Sequence, residues 1–248
     1  MSMVRTDAPH VRAILFAEHP GWQEVLQYLG GEFCFEWCNI SDATIREEYA
    51  TYPDAETFYR ETTAYCYNGL IYFLEGWKRQ WYAHLFHMAS GRGRNLSVLD
   101  YGCGSGCDGL LFLEANMHVG FADVESRSLD FLRWRLWARR TTANVYSLPS
   151  SKHKETVTIP SYDVVWCMDV LEHLPPTAQK QLLLETLPEI GNVVFVNLVS
   201  DSDADGTVHH PVDYEGLTQA VRDGYPSVFV QDSQQTASNL TRLLIYGT

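Results

Sequence analysis

The sequence predicts an α/β protein: a seven-stranded, mostly parallel sheet with helices on both faces and an antiparallel last strand, preceded by a helical segment. Three observations carry that prediction. From residue 97 onward, short apolar runs alternate with amphipathic stretches, the pattern of parallel strands joined by crossover helices. The stretch Val98-Leu99-Asp100-Tyr101-Gly102-Cys103-Gly104-Ser105-Gly106-Cys107-Asp108 sets two apolar residues, an acid and three alternate glycines ahead of another apolar run, which reads as strand, tight loop and helix start. The last two apolar runs are joined only by the short stretch 232–239, too short for a crossover, so they pair antiparallel.

In chain order, strands are expected at 97–101, 118–124, 144–146, 162–168, 192–199, 227–231 and 243–246, with helices after the first, second, fourth and fifth. Residues 1–95 carry helical patterning without a strand series, first over 22–29 and then in an aromatic-rich run over 59–86. They read as an accessory helical segment, a lid or acceptor-binding element, joined through Gly91-Arg92-Gly93-Arg94 to the α/β domain of residues 96–248. Within it, Tyr59, Arg60 and the aromatics to Tyr72 read as helix packing or as that lid. Tyr65, Tyr67, Trp77 and Trp81 read as core or as the lining of an acceptor pocket.

Composition narrows the function classes. With 248 residues and 46% apolar content, the chain can bury one α/β core with an added segment, rather than two equal domains. A formal charge of −13 opposes binding to a phosphate backbone unless cations are concentrated locally. The one candidate, Arg133, Arg135, Arg139 and Arg140, interleaves with Phe131, Leu132, Trp134, Leu136 and Trp137, as on a helix with one apolar and one solvated face. No run approaches the roughly 20 apolar residues of a membrane span, and the N-terminus lacks a signal-peptide core, so a cytoplasmic protein without membrane partners is expected. The six cysteines are scattered and read as reduced thiols; the Cys34/Cys38 pair has no matching second pair for a metal.

The glycine loop departs from a dinucleotide fingerprint. Counting from Gly102, the third glycine of G-x-G-x-x-G belongs at position 107, where Cys107 stands; it comes one residue early, at Gly106. Such a loop suits a smaller zwitterion, with backbone N–H groups for a carboxylate and Asp100 for an ammonium. A nicotinamide-dependent oxidoreductase is correspondingly disfavoured.

These residues resemble motif I of the class I S-adenosylmethionine-dependent methyltransferases. Val119-Gly120-Phe121-Ala122-Asp123-Val124 resembles the next motif, in which an acid at a strand end accepts hydrogen bonds from both ribose hydroxyls. The run from Tyr162 through Met168-Asp169-Val170-Leu171-Glu172-His173 to Pro175 resembles the fourth strand and the opening of the helix after it. The resemblance covers about residues 96–248 and implies a Rossmann-like fold, S-adenosylmethionine as cofactor and S-adenosylhomocysteine as product. It places Asp100, Tyr101, Gly102, Cys103, Gly104, Gly106, Asp123, Val124 and Met168 at the cofactor. The acid that many relatives carry after the third strand is missing from Val145-Tyr146-Ser147-Leu148-Pro149, where Ser147 or backbone groups would substitute.

The activity so implied is methyl transfer to an oxygen or nitrogen of a small-molecule acceptor; a catalytically silent cofactor-binding protein is the alternative. A hydroxyl acceptor needs a base, and the candidates lie at the C-terminal edge of the sheet: His173 and the loop pair His209 and His210. Asp169, Glu172 and His173, at i, i+3 and i+4 of one expected helical face, would form with His210 a divalent-metal set. That set resembles the metal sites of small-RNA 2′-O-methyltransferases and, in its first part, of quinone-pathway O-methyltransferases. Asp169 replaces the usual glutamate, and a metal-free site is the expectation.

Overall fold

The computed structural model describes residues 19–92, 95–150, 157–200, 209–234 and 240–247. Among the described residues, five α-helices precede the sheet: α1 (Pro20–Leu29), α2 (Asp42–Tyr49), α3 (Ala55–Glu61), α4 (Ala64–Glu75) and α5 (Arg79–Gly91). The α/β part then runs β1 (Ser97–Tyr101), α6 (Cys107–Glu114), β2 (His118–Val124), α7 (Arg127–Ala138), β3 (Asn144–Leu148) and β4 (Tyr162–Cys167). Helix α8 starts at Pro176 and passes through a π turn, Leu182–Thr186, to Ile190. It is followed by β5 (Gly191–Ser200), α9 (Tyr214–Gly224), β6 (Val228–Gln234) and β7 (Leu240–Gly247).

The seven strands lie in the order β3-β2-β1-β4-β5-β7-β6. β1 pairs parallel with β2 and β4, and β7 runs antiparallel to both β5 and β6. Strand order therefore reverses between β1 and β4, and the C-terminal ends of those strands open the crevice where α/β sheets receive ligands. Helices follow the first, second, fourth and fifth strands, as the apolar runs predict; β3, β5 and the last two strands extend by one to three residues past the expected bounds.

Period-two alternation feeds two cores. Val98, Val164 and Trp166 point to a layer with Trp81, Leu85, Phe112 and Leu132, while Leu99, Val165 and Cys167 point to one with Leu183, Leu187, Leu217 and Tyr246. The sheet is buried on both faces, which is why β4 reads as an unbroken apolar run after Asp163. A third cluster holds the N-terminal helices, with Trp22, Val25, Phe58, Tyr67 and Leu70, and takes in Cys107 of α6 and Phe131 of α7. Trp81 and Tyr67 are thus core, and Trp77 packs edge-on against Trp81. Among the described residues, no helix is long and apolar enough to cross a membrane.

Helix α7 corrects one expectation. Arg135, expected on a solvated face, is only 4% exposed, whereas Trp137, expected on the apolar face, is 74% exposed. Glu24 of α1 makes the burial of Arg135 possible: its carboxylate meets Arg135 Nε at 2.8 Å and Arg139 Nη2 at 3.0 Å. Arg133 pairs with Glu125 and Asp130. These three arginines are engaged with carboxylates, while Arg140, the fourth, is exposed.

Close backbone approach holds α4 over the glycine loop. A Cβ added at Gly69 would lie 2.6 Å from Ser105 Oγ, well inside contact distance. Gly69→Ala is therefore expected to push α4 away from the loop and to cost about 1–3 kcal/mol as overpacking. A urea midpoint unchanged from wild type would contradict that contact.

Candidate functional site

A cavity of about 1000 Å³ opens over the C-terminal ends of β1, β2 and β4 and is roofed by residues of α2, α3 and α4. Ordinary ligand pockets span about 300–1,000 Å³, so this cavity lies at the upper end of that range. On one side lie the glycine loop, Asp123, Val124 and Met168; on the other lie Tyr59, Tyr65, Glu172, His173 and His209.

The loop is latched to β2. Gly102 N and Cys103 N both donate to Ala122 O, at 2.7 and 3.2 Å, and Gly104 N donates to Asp123 Oδ2 at 2.6 Å. Gly102 and Gly104 have φ of 71° and 50°, values glycine adopts without the strain a Cβ brings. A Cβ at Gly102 would strike Val170, whereas one at Gly104 would meet nothing within 4 Å, so a ligand can approach the backbone there. Asp100, Tyr101, Cys103, Asp123, Val124 and Met168 are in the wall with these two glycines. Gly106 is not: with φ of 74° it is the N-cap of α6 and packs on Leu132.

Among the loop amides expected to receive a carboxylate, Ser105 N and Cys107 N have no internal partner among the described residues, and the others are engaged. Those of Gly102, Cys103 and Gly104 are committed as above, and Gly106 N donates to Cys103 O at 2.7 Å. Asp100 Oδ2 accepts from Gly109 N at 2.9 Å. Burial, reinforced by the charge of Asp108, holds the Asp100 carboxyl well above the usual range. The Asp123 carboxylate accepts from Gly104 N and, at 2.7 Å, from Val124 N. Burial outweighs those bonds and raises its pKa to about 6.

Ser147 does not reach toward a ligand. Its hydroxyl donates to Glu125 and accepts from Arg133 Nη2, while Leu148, Pro149, Val157 and Ile159 give that end of the cavity an apolar surface.

At the opposite end, Tyr59 Oη lies 2.8 Å from His173 Nδ1, and the rings of His173 and His209 meet edge-on at 4.9 Å. Tyr65 stacks on Tyr59 at 5.5 Å. Burial pushes the Tyr59 hydroxyl far above its ordinary pKa, so it stays protonated and offers both a donor and an acceptor to the imidazole. His210 is set apart from the cavity wall; its backbone N–H donates to Glu172 O at 2.6 Å, pinning the loop that presents His209.

The proposed metal face does not form. Asp169 has φ of 57°, in the left-handed region, and only Leu171–His173 make a helical turn, a short 3-10 one, so Asp169, Glu172 and His173 share no helical face. Asp169 turns instead to Asn197, exchanging two 2.7 Å hydrogen bonds with it, and to Lys78 Nζ at 3.0 Å. Among the described residues, no group of three or more histidine, cysteine or acidic side chains could hold a metal ion.

Sequence reasoning missed a buried network beneath the loop. Asp108, in the first turn of α6, accepts from Tyr82 Oη at 2.7 Å, Trp166 Nε1 at 2.8 Å and Lys78 Nζ at 3.0 Å. Burial alone would lower the pKa of Lys78, but Asp108 and Asp169 reverse the sign and keep it charged. The signal available was a lone lysine beside Trp77 in an aromatic run, and no spacing ties it to Asp108.

Comparison with known proteins agrees with this architecture. Residues 99–189 match a family model described as a methyltransferase domain. The chain is 28% identical over 103 residues to the ubiquinone biosynthesis O-methyltransferase of Aeromonas salmonicida, over 42% of this chain and 43% of that protein. To the enzyme of the same name from Hydrogenovibrio crunogenus it is 31% identical, over 34% of each. The chain thus spans less than half the length of these curated relatives. Among solved structures, magnesium protoporphyrin IX methyltransferase from Synechocystis PCC 6803 with bound SAM has the same fold, with a TM-score of 0.53–0.54 across its two forms and 12% identity in the SAM form, which covers 98% of this chain and 99% of that one. The N-methyltransferase NodS from Bradyrhizobium japonicum aligns with a TM-score of 0.52 at 15% identity, covering 69% of this chain and 96% of that one.

Proposed function

We propose that this chain, whose residues 99–189 match a family model described as a methyltransferase domain, is of the class I S-adenosylmethionine-dependent type and transfers a methyl group from that cofactor to a hydroxyl oxygen of a small-molecule acceptor. The observation that carries the reading is the single cavity in which the glycine loop and Asp123 face a tyrosine–histidine wall. The relatives named as O-methyltransferases support oxygen as the accepting atom. The charge of −13 and the engaged arginines of α7 support a small molecule over a nucleic acid.

The residues present fit the cofactor. Each oxygen of the Asp123 carboxylate already accepts one backbone N–H and keeps lone-pair capacity for a neutral hydroxyl, as two ribose hydroxyls require. Gly104 leaves open space over the loop, and Leu148, Pro149 and Ile159 supply apolar surface for a purine. When bound, S-adenosylmethionine supplies a methyl group on a sulfonium centre with a neutral thioether as its leaving group.

The chain's own contribution is orientation, partial exclusion of water and one proton transfer. The helices over the cavity cover part of its mouth. His173, whose Nδ1 is hydrogen-bonded to the Tyr59 hydroxyl, takes the acceptor's proton on its imidazole. His209, in contact with the same ring, holds the imidazole toward the cavity.

Calorimetric titration with S-adenosylhomocysteine tests the cofactor assignment. Micromolar-class binding, about −8 kcal/mol, is expected in wild type at pH 7.5, with a loss of at least about 30-fold in Asp123→Ala. A nicotinamide dinucleotide should not bind. Because Asp123 is charged only above about pH 6 and the ribose hydroxyls are expected to bind its charged form, affinity should fall as pH drops below that value, approaching about tenfold per unit. An absence of S-adenosylhomocysteine binding would sink the cofactor reading, and a flat affinity between pH 7.5 and 5 would sink the role of Asp123.

A further inference from the structure

An amino-acid ligand has a carboxylate and an ammonium, and the glycine loop offers the carboxylate fewer donors than its length suggests. The amides of Gly102, Cys103, Gly104 and Gly106 are all committed within the protein. Ser105 N and Cys107 N remain for it, and a charged donor stands in the same wall.

Lys78, just ahead of α5 and 8% exposed, is in that wall. Its ammonium carries three N–H donors. One meets Asp108 Oδ2 and one meets Asp169 Oδ2, each at 3.0 Å. Among the described residues no third hydrogen-bond acceptor is within reach. The Trp77 ring, 5.4 Å from Nζ, adds attraction without accepting a conventional hydrogen bond. Asp108 is further satisfied by Tyr82 and Trp166, and Asp169 by Asn197, so neither carboxylate needs the remaining donor.

Asp100 lines the same cavity. One of its oxygens accepts from Gly109 N, and the other has no partner among the described residues. One uncommitted cationic donor and one uncommitted oxygen of a buried carboxyl, whose charged form an arriving ammonium would favour, make a shared wall complementary to a zwitterion.

We propose that Lys78 binds the carboxylate of the cofactor's amino-acid end, opposite Asp100 at its ammonium. The inference rests on the cofactor reading above. It makes the N-terminal helical segment part of the cofactor site, through a residue outside the matched stretch 99–189. The same ammonium ties α6, which follows the glycine loop, to the loop after β4, so both edges of the site are referenced to one charge.

The test compares three ligands by calorimetry: S-adenosylhomocysteine, its decarboxylated analogue, and 5′-methylthioadenosine, which lacks the amino-acid end. Wild type is expected to bind S-adenosylhomocysteine at least about tenfold more tightly than the decarboxylated analogue, the scale of one charge-assisted hydrogen bond in a buried site. Lys78→Met should remove that preference while changing affinity for the two analogues by less than about threefold. If the single variant does not fold, Lys78→Met with Asp108→Asn, which leaves no unpaired charge at position 108, serves in its place.

Equal wild-type affinities for the carboxylated and decarboxylated ligands would overturn the proposal. So would a variant in which all three ligands weaken alike, because that marks a purely structural lysine. In both cases binding of 5′-methylthioadenosine to wild type leaves the cofactor reading standing; failure of every adenosyl ligand removes both.

Discussion

Asp108→Ala is expected to lower the free energy of unfolding by about 3–5 kcal/mol, the cost of breaking a buried ion pair from one side. Three donors converge on this carboxylate: the Lys78 ammonium, the Tyr82 hydroxyl and the Trp166 indole N–H. Alanine leaves a buried ammonium with Asp169 alone and strands two neutral donors in a layer of aromatic rings, where Tyr82 and Trp166 stack at 5.5 Å. The network also joins α5 to β4 and α6, so its loss loosens the N-terminal helices and the floor of the cavity together. Urea unfolding followed by tryptophan fluorescence reads the effect. Asp130→Ala, which removes an exposed partner of Arg133, is the control and should cost less than about 1 kcal/mol. A midpoint shift no larger than that of the control would show that the buried pair contributes nothing.

The same network marks where sequence reasoning stops. Strands with a two-residue period and the loop with alternate glycines are local patterns, and the structure places them where the patterns do. The antiparallel partnership of β6 and β7 was legible because a short connection admits no other pairing. Ion pairs between distant segments have no such local signature. Lys78 and Asp108 are 30 residues apart, and Arg135 and Glu24 are 111 apart. Arg135 therefore looked like one member of a solvated row until α1 supplied a carboxylate.

The expected helical face at Asp169, Glu172 and His173 failed for a related reason. Spacing at i, i+3 and i+4 assumes a helix, but contacts from Asn197 and Lys78 hold Asp169 in a left-handed conformation that aspartate tolerates better than most residues. The candidate base survived this change because the 3-10 turn still delivers His173 to the cavity. Tyr59, its hydrogen-bonding partner, comes from a segment without a recognisable motif, and only the folded chain brings the pair together.

His173→Ala is expected to lower kcat for methylation of a phenolic acceptor such as catechol by about 10²–10⁴-fold, the range of general base catalysis. A phenol is mostly protonated at neutral pH, so deprotonation has to accompany methyl transfer, and the His173 imidazole stands at the cavity wall, beside His209, as a group able to accept that proton. Affinity for S-adenosylhomocysteine should change by less than about threefold, because His173 faces Tyr59 and His209 rather than the glycine loop. Tyr59→Phe removes the hydroxyl that holds Nδ1 and leaves the ring in place, so a smaller loss of about tenfold is expected, the scale of one hydrogen bond. The ordering of the two variants carries the test. Loss in both with cofactor affinity intact identifies His173 as the base and Tyr59 as its positioning residue. Full kcat in His173→Ala would remove the histidine from the chemistry and leave acceptor orientation as the chain's whole contribution.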